Sequence, residues 1–286
     1  MTSASHPREL IMPPRRDDRR LRRSRRFLLR QATGPLRALP AFFVYGGMKC
    51  GTSSLFAYIC QHPHVRRPYR KETHYFSLGM RMGRSEAWYR AHFPLRARMR
   101  RGEITGEATP GYLFETEVAA RVARLVPKAR LLIILRDPVE RALSHYFHEV
   151  RMGRERLSLE EAMACEEERL ELARSLGPEG KETLLHAGYK QRGLYADQIE
   201  NVLTHFRREQ VLVLGSGTLF RQPHVALADA FRFLELSAPE TPLDFTAKNT
   251  ASNRTAAPPR MVEELRRFFA PHNERLFALL GRELDW

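Results

Sequence analysis

Residues 46–55 read GGMKCGTSSL and gather small residues, one cation and three hydroxyls into a single run. Glycines let a backbone curl tightly. Successive amide N–H groups can then converge on phosphate oxygens, and a helix N-terminus adds partial positive charge. Lys49 would add a full charge, and Thr52, Ser53 and Ser54 three hydroxyl donors. An ATP-type loop would read G-x-x-x-x-G-K-[ST]. Gly46 and Gly51 keep that glycine spacing, but Thr52 stands where the lysine belongs, and Lys49 comes three residues early. The run therefore predicts an anion-holding loop that is not built for ATP.

A second candidate anion site follows the apolar run 131–135. Arg136 could grip a phosphate with both arms of its guanidinium. Ser144, two turns into the helix expected to follow, can donate a hydroxyl. A kinase-type metal site would prefer an acidic residue directly after the strand. Here LLIILRDP puts the cation first, which predicts a second phosphate bound without Mg²⁺, and no metal site is expected.

The third candidate is KETHYF, residues 71–76. An extended backbone would put Glu72, His74 and Phe76 on one face. Glu72 or His74 could take a proton from a hydroxyl or amine, help worth about 10²- to 10⁴-fold in rate. The residue types leave both open, and a surface salt-bridge cluster with Lys71 is the plain alternative. Glu107, Thr109 and Tyr112 are candidates for lining an acceptor cleft, with packing an equal reading for the last two. Trp88, Tyr89 and Phe93 read as core or lid residues, and His62 and His64 as loop residues.

These groups need elements to hold them. Residues 42–45 predict a buried strand broken by Gly46-Gly47, followed by a helix over 53–61. A second strand spans 131–135. Asp137 can cap the next helix and Pro138 suits its first turn. An acidic helix is expected over 159–174, further helices over 195–206 and 225–236, one or two more over 259–280, and a third strand over 211–214. Alternating strands and helices predict an α/β fold with a parallel sheet covered on both faces. Parallel strands deliver their C-terminal ends to one edge, where open α/β sheets bind ligands. That places Arg136 beside Lys49.

The chain has 286 residues, 43% hydrophobic and 28% charged, which excludes disorder throughout. Its most apolar stretch is five residues, against about 20 for a membrane-spanning helix. Net charge is +15, from 48 basic and 33 acidic residues. Residues 1–40 hold 11 Arg and 3 acids, a balance of +8, leaving +7 for the rest. We expect residues 1–40 to be a basic, disordered tail and 41–286 the folded domain. Leu21, Leu28 and Leu29 could share one face of a short basic helix touching anionic lipid or nucleic acid; a solvated arm is the simpler reading. Cys50, Cys60 and Cys165 match no zinc or disulfide spacing, which fits a reducing, cytoplasmic setting.

GGMKCGTSSL followed by LLIILRDPVERALSHY resembles the two cofactor signatures of the sulfotransferases that use 3′-phosphoadenosine 5′-phosphosulfate (PAPS). The chain is most similar to the heparan sulfate branch, the glucosaminyl 3-O-sulfotransferases and the N-sulfotransferase domain. KETHYFS, GEATPGYLF, GLYADQIENVLTHF and the ending FALLGRELDW resemble further segments of that branch, so the likeness spans residues 42–286. It implies a three-layer P-loop-like fold and sulfuryl transfer from PAPS to a hydroxyl or amine of a saccharide or small-molecule acceptor. Lys49, Cys50, Gly51, Thr52, Ser53 and Ser54 would hold the 5′-phosphosulfate, and Arg136 and Ser144 the 3′-phosphate. Glu72 would be the base, with His74 the alternative from residue type, and Lys49 would stabilise the leaving phosphate. Arg254 matches an arginine of the family's late cofactor loop.

Departures exist. The family's E-K-T-P lysine is Ala108, a late-loop lysine is Ser252, and no cysteine follows Cys165 to form the late disulfide. With the family's membrane anchor also absent, a bacterial-type soluble relative is expected. Two rival functions are a P-loop nucleotide kinase and a non-enzymatic nucleic-acid binder using the arginine tail. The kinase predicts Mg²⁺-dependent ATP binding, and the binder predicts steep salt dependence.

Overall fold

In the computed structural model, residues 25–177, 179–246 and 257–286 are described. The chain divides into two compact units, where a single domain was expected. Among described residues, the sheet unit comprises 25–136, 197–246 and 282–286, and the helical unit 137–177, 179–196 and 257–281.

Five strands, β1 (Phe42–Gly46), β2 (Val65–Arg66), β3 (Ile104–Ala108), β4 (Arg130–Leu135) and β5 (Val211–Gly215), form one sheet in the order β2-β3-β1-β4-β5. Every pairing is parallel, with Phe43 opposite Glu107 on one side and Leu131 on the other. Flanked by β3 and β4, β1 is the central strand, and chain order departs from it in both directions. That is the switch point where such sheets take ligands.

Alternation along β1 builds a core on each face. Phe42 and Val44 pack with Leu55, Phe56 and Ile59 of the helix Thr52–Ile59, and with Leu227 and Phe231 of the helix Pro223–Phe233. On the other face, Phe43 meets Phe76 at 6.0 Å between ring centroids, and Tyr45 meets Tyr112 at 5.9 Å. Gly106 is dictated by packing, because a Cβ there would lie 2.2 Å from the Phe42 ring. The sheet and its helices match expectation, but β2 and β3 add two strands that the hydrophobic pattern did not predict.

The expected tail boundary at residue 41 also moves. Residues 25–40 are packed against the body, so the folded part reaches back at least to Arg25, whereas residues 1–24 lie outside the described set. In the helix Arg25–Ala32, Phe27 is 3% exposed and its ring meets Tyr69, Trp88 and His92. Arg30 donates to the carbonyls of Ala91 at 2.6 Å and Phe93 at 3.0 Å, and Arg37 to that of Phe93 at 2.8 Å. One aromatic anchor and two arginines turned inward hold this arm. Leu28 and Leu29 are exposed, while Leu21 lies outside the described residues.

The helical unit begins with the helix Pro138–Arg151. Asp137 caps it by accepting the Glu140 amide at 2.8 Å, with Pro138 in its first turn, as its sequence predicts. The acidic segment is broken at Cys165 into the helices Leu159–Ala164 and Glu166–Ser175. A single helix, Pro259–Leu280, supplies Met261, Leu265 and Phe269 to a core with Val139, Tyr146, Met163 and Tyr189. Among the described residues, no helix is long and apolar enough to cross a membrane.

Candidate active site

The loop after β1 turns back on the sheet edge at once. Gly47 donates its amide to the carbonyl of Ile134 at 2.6 Å, tying the loop to β4. Gly51 begins the following helix at φ +102°, and a Cβ there would also lie 2.9 Å from the Phe220 ring, so both backbone angle and space require glycine. Lys49, half-buried, sits at φ +66°. The Cys50 side chain is buried in the core, so only its backbone can face the loop's interior. Thr52 and Ser54 are buried too, whereas Ser53 is half-exposed.

Ser53 connects the loop to the expected proton acceptor. Its hydroxyl accepts from Lys71 Nζ at 2.5 Å, and the same ammonium lies 3.0 Å from Glu72 Oε1. Glu72 in turn donates its amide to the carbonyl of Ala108 at 3.0 Å, hooking its segment onto the end of β3. Lys71 therefore joins two candidate regions, although its sequence position suggested only a surface ion pair.

Residues 72–76 are not extended, which corrects the expected shared face of Glu72, His74 and Phe76. Glu72 and His74 are left-handed, at φ +57° and +51°, and a π-helical turn Tyr75–Gly79 follows. The result is a corner. Phe76 is buried against Phe43, while Glu72 and His74 remain half-exposed. Four non-glycine residues have positive φ among those described, and three of them are Lys49, Glu72 and His74. Each such residue costs about 1–2 kcal/mol. Strain of this kind persists where its surroundings over-determine it, and it clusters at functional sites.

Beneath the corner lies Glu107, on β3 and 1% exposed. Its Oε1 accepts from Thr73 Oγ1 at 2.5 Å, Thr109 Oγ1 at 2.8 Å and the Tyr112 hydroxyl at 2.9 Å. Its Oε2 accepts from the Tyr89 hydroxyl at 2.5 Å. Burial pushes this carboxyl above the usual range, and the four hydroxyls pull it part of the way back. Burial likewise raises the Tyr89 and Tyr112 phenols. Glu107, Thr109 and Tyr112 are thus interior groups and do not line a cleft; Ala108 between them is buried as well. A Glu within a buried parallel strand gives no hydrophobic signal, and only the hydroxyl-bearing residues two and five positions later hinted at its partners.

Arg136 follows β4 directly, on the edge that carries the Lys49 loop, and is half-buried. Ser144 belongs to the helical unit and is half-buried on the helix Pro138–Arg151. Arg254 and Ser252 lie outside the described residues. Among the described residues no three His, Cys, Asp or Glu side chains are grouped to hold a metal ion.

A family model described as a sulfotransferase domain matches residues 39–269. The chain is 25% identical to a membrane-associated sulfotransferase, kil1, of Dictyostelium discoideum, across 88% of this chain and 68% of that protein. It is 29% identical to heparan sulfate glucosamine 3-O-sulfotransferase 3B1 of Mus musculus, across 87% of this chain and 65% of that one. It therefore spans about two thirds of the length of these curated relatives. The crystal structure of a sulfotransferase from Alicyclobacillus acidocaldarius superposes with a TM-score of 0.71 at 36% identity, covering 86% of this chain and 98% of that one.

Proposed function

Because the chain belongs to the sulfotransferase family, we propose that it moves a sulfuryl group from PAPS to a hydroxyl or amine of a saccharide acceptor. The observation that carries this reading is the junction of Ser53, Lys71 and Glu72. It joins the 46–55 loop to Glu72 at the switch point of the sheet, which supports reading the loop as the anion holder and Glu72 as the proton acceptor.

The residues suit PAPS as donor. The amides of the 47–54 loop, Lys49 and the Ser53 hydroxyl would hold its 5′ end, and Arg136 its 3′-phosphate. The roles of Ser144 and Arg254 rest on the family resemblance alone. PAPS supplies the sulfuryl group and a phosphate leaving group. Glu72, or His74 beside it, takes the acceptor's proton as the new bond to sulfur forms. Lys49 offsets negative charge growing on the bridging oxygen as the old bond breaks. Holding both partners in line lowers the barrier further.

A saccharide acceptor is favoured by likeness to the glucosamine 3-O-sulfotransferases. Ala108, where the family has lysine, argues that the saccharide is held differently here. A cytoplasmic location accords with Cys50, Cys60 and Cys165, all free thiols.

A transfer screen with ³⁵S-labelled PAPS tests the reading, using heparan sulfate, simple phenols and lipid hydroxyls as acceptors, with and without Mg²⁺. We expect label on heparan sulfate, no Mg²⁺ requirement, and loss of transfer in Lys49→Ala. Transfer from ATP with Mg²⁺, and none from PAPS, would replace this reading with the kinase.

A further inference from the structure

We propose that Glu107 is a positioning residue: through Thr73 and Tyr112 it fixes, from beneath, the backbone corner that presents Glu72 and His74. The proposal rests on reading that corner as the proton acceptor of the transfer reaction. Nothing in the residue's strand position or charge requires such a role; the hydrogen bonds do.

Three attachments run from the carboxylate to the corner. Thr73, between the two left-handed residues, donates its hydroxyl to Glu107 Oε1. The same hydroxyl accepts the Tyr75 amide at 3.2 Å. The Tyr112 hydroxyl donates to Oε1 and accepts the Phe76 amide at 3.3 Å. Residues 73, 75 and 76 are thereby tied to one buried group. A fourth tie is indirect: Tyr89 donates to Oε2, and the Tyr75 ring stacks on the Tyr89 ring at 4.4 Å and 11°.

The chemistry explains why the group is a carboxylate. An ionised carboxylate only accepts, and its two oxygens offer about four lone-pair sites. Four hydroxyls here all donate inward, which leaves the Thr73 and Tyr112 oxygens free to accept backbone amides. A donor placed at position 107 would oppose one of these hydroxyls and reverse part of the chain of bonds. Two left-handed residues in succession around Thr73 would relax toward ordinary backbone without such a clamp. The ammonium of Lys71 fixes the Glu72 side chain, whereas Glu107 and its hydroxyls hold the Tyr75 and Phe76 amides on the His74 side, where Arg121 also donates to the Phe76 carbonyl at 2.8 Å.

Thr73→Val removes the central tie while leaving Glu107 two hydroxyls on the same oxygen, so the fold survives. Thr73→Ser restores the donor, and Glu107→Gln attacks the same clamp from the other side. Amide hydrogen exchange over residues 72–79 is followed with turnover on PAPS and heparan sulfate and with affinity for 3′,5′-ADP. In Thr73→Val we expect exchange in this segment to quicken about tenfold. Turnover should fall about 10²-fold, the size of an ångström-scale misplacement. The KM for PAPS and the 3′,5′-ADP affinity should stay within about twofold. Thr73→Ser should recover both losses, and Glu107→Gln should share them.

Unchanged exchange over 72–79 in both Thr73→Val and Glu107→Gln would overturn the proposal. So would a fall in 3′,5′-ADP affinity as large as the fall in turnover, because the damage would then extend to the whole site. If the wild-type protein neither binds 3′,5′-ADP nor transfers from PAPS, the functional reading fails instead, while the exchange measurement still decides whether Glu107 holds the corner.

Discussion

Glu107 in the sheet unit and Glu155 and Glu149 in the helical unit are buried in opposite ways. In the sheet unit, Glu107 is satisfied by four neutral hydroxyls and, among the described residues, by no cation. In the helical unit, Glu155 accepts from Arg169 at 2.8 Å, from the Tyr189 hydroxyl at 2.7 Å, and from the amides of Arg156 and Leu157. Glu149 pairs with Arg154 and lies 3.5 Å from His145 and 3.3 Å from His186. The second arrangement commits arginines to internal structure. The first holds a backbone corner through uncharged donors. Burial by ion pairing ties stability to charge, whereas burial by hydroxyls ties local geometry to donor direction.

The largest expected effect tests the ion-paired side. Arg169→Met should cost about 3–5 kcal/mol, because it leaves Glu155 buried without its cation. Urea unfolding measures this directly. Thr73→Val on the hydroxyl side should cost less, about 1.5–3 kcal/mol, the net worth of a hydrogen bond to a charged group. Equal losses would erase the distinction between the units. Next in size is Lys49→Ala, which should reduce turnover about 10²- to 10³-fold, or about 3–4 kcal/mol of transition-state stabilisation. Its urea midpoint should stay near wild type. An active Lys49→Ala, or one that unfolds easily, would make Lys49 a structural cation like Arg169.

The two loop motifs were legible because they obey local rules. GGMKCGTSSL announces a tight turn between a buried strand and a helix, and LRDP announces a strand end, a cap and a helix start; both appear where expected. Segments whose structure depends on distant partners were not legible. β3 reads ITGEA, too polar for a buried parallel strand, and two of the four hydroxyls that make Glu107 tolerable there, those of Thr73 and Tyr89, lie 34 and 18 residues away. KETHYF alternates as a strand would, yet its corner is set by contacts to β3 and Glu107. Residues 25–40 look like the end of a solvated arm because they continue an arginine-rich run. The carbonyls of Ala91 and Phe93, which receive Arg30 and Arg37, lie more than 50 positions on.

The smallest effect, and the one most specific to the contrast, is a difference of sign in acid. Burial pushes Glu107 above the usual carboxylate range. Its contribution to stability is therefore full below the unfolded value, about 4.3, and is lost as pH rises through the folded value. Burial also acts upward on Glu149, but Arg154, which hydrogen-bonds it, and His145 and His186 beside it outweigh that and hold the carboxyl below the usual range. Its contribution is present above about 4.3 and lost as pH falls. His145, pushed down to about 3 by burial, acts in the same direction as Glu149, losing its contribution below about 6.5. Between pH 7 and 4, Glu149→Gln should therefore flatten the fall in stability, and Glu107→Gln should steepen it. Each change should be about 1 kcal/mol across that window, read from urea midpoints at constant ionic strength. If both variants bend the profile the same way, Glu107 is behaving as a charge-paired group, and the hydroxyl clamp would need a cation that its geometry does not show.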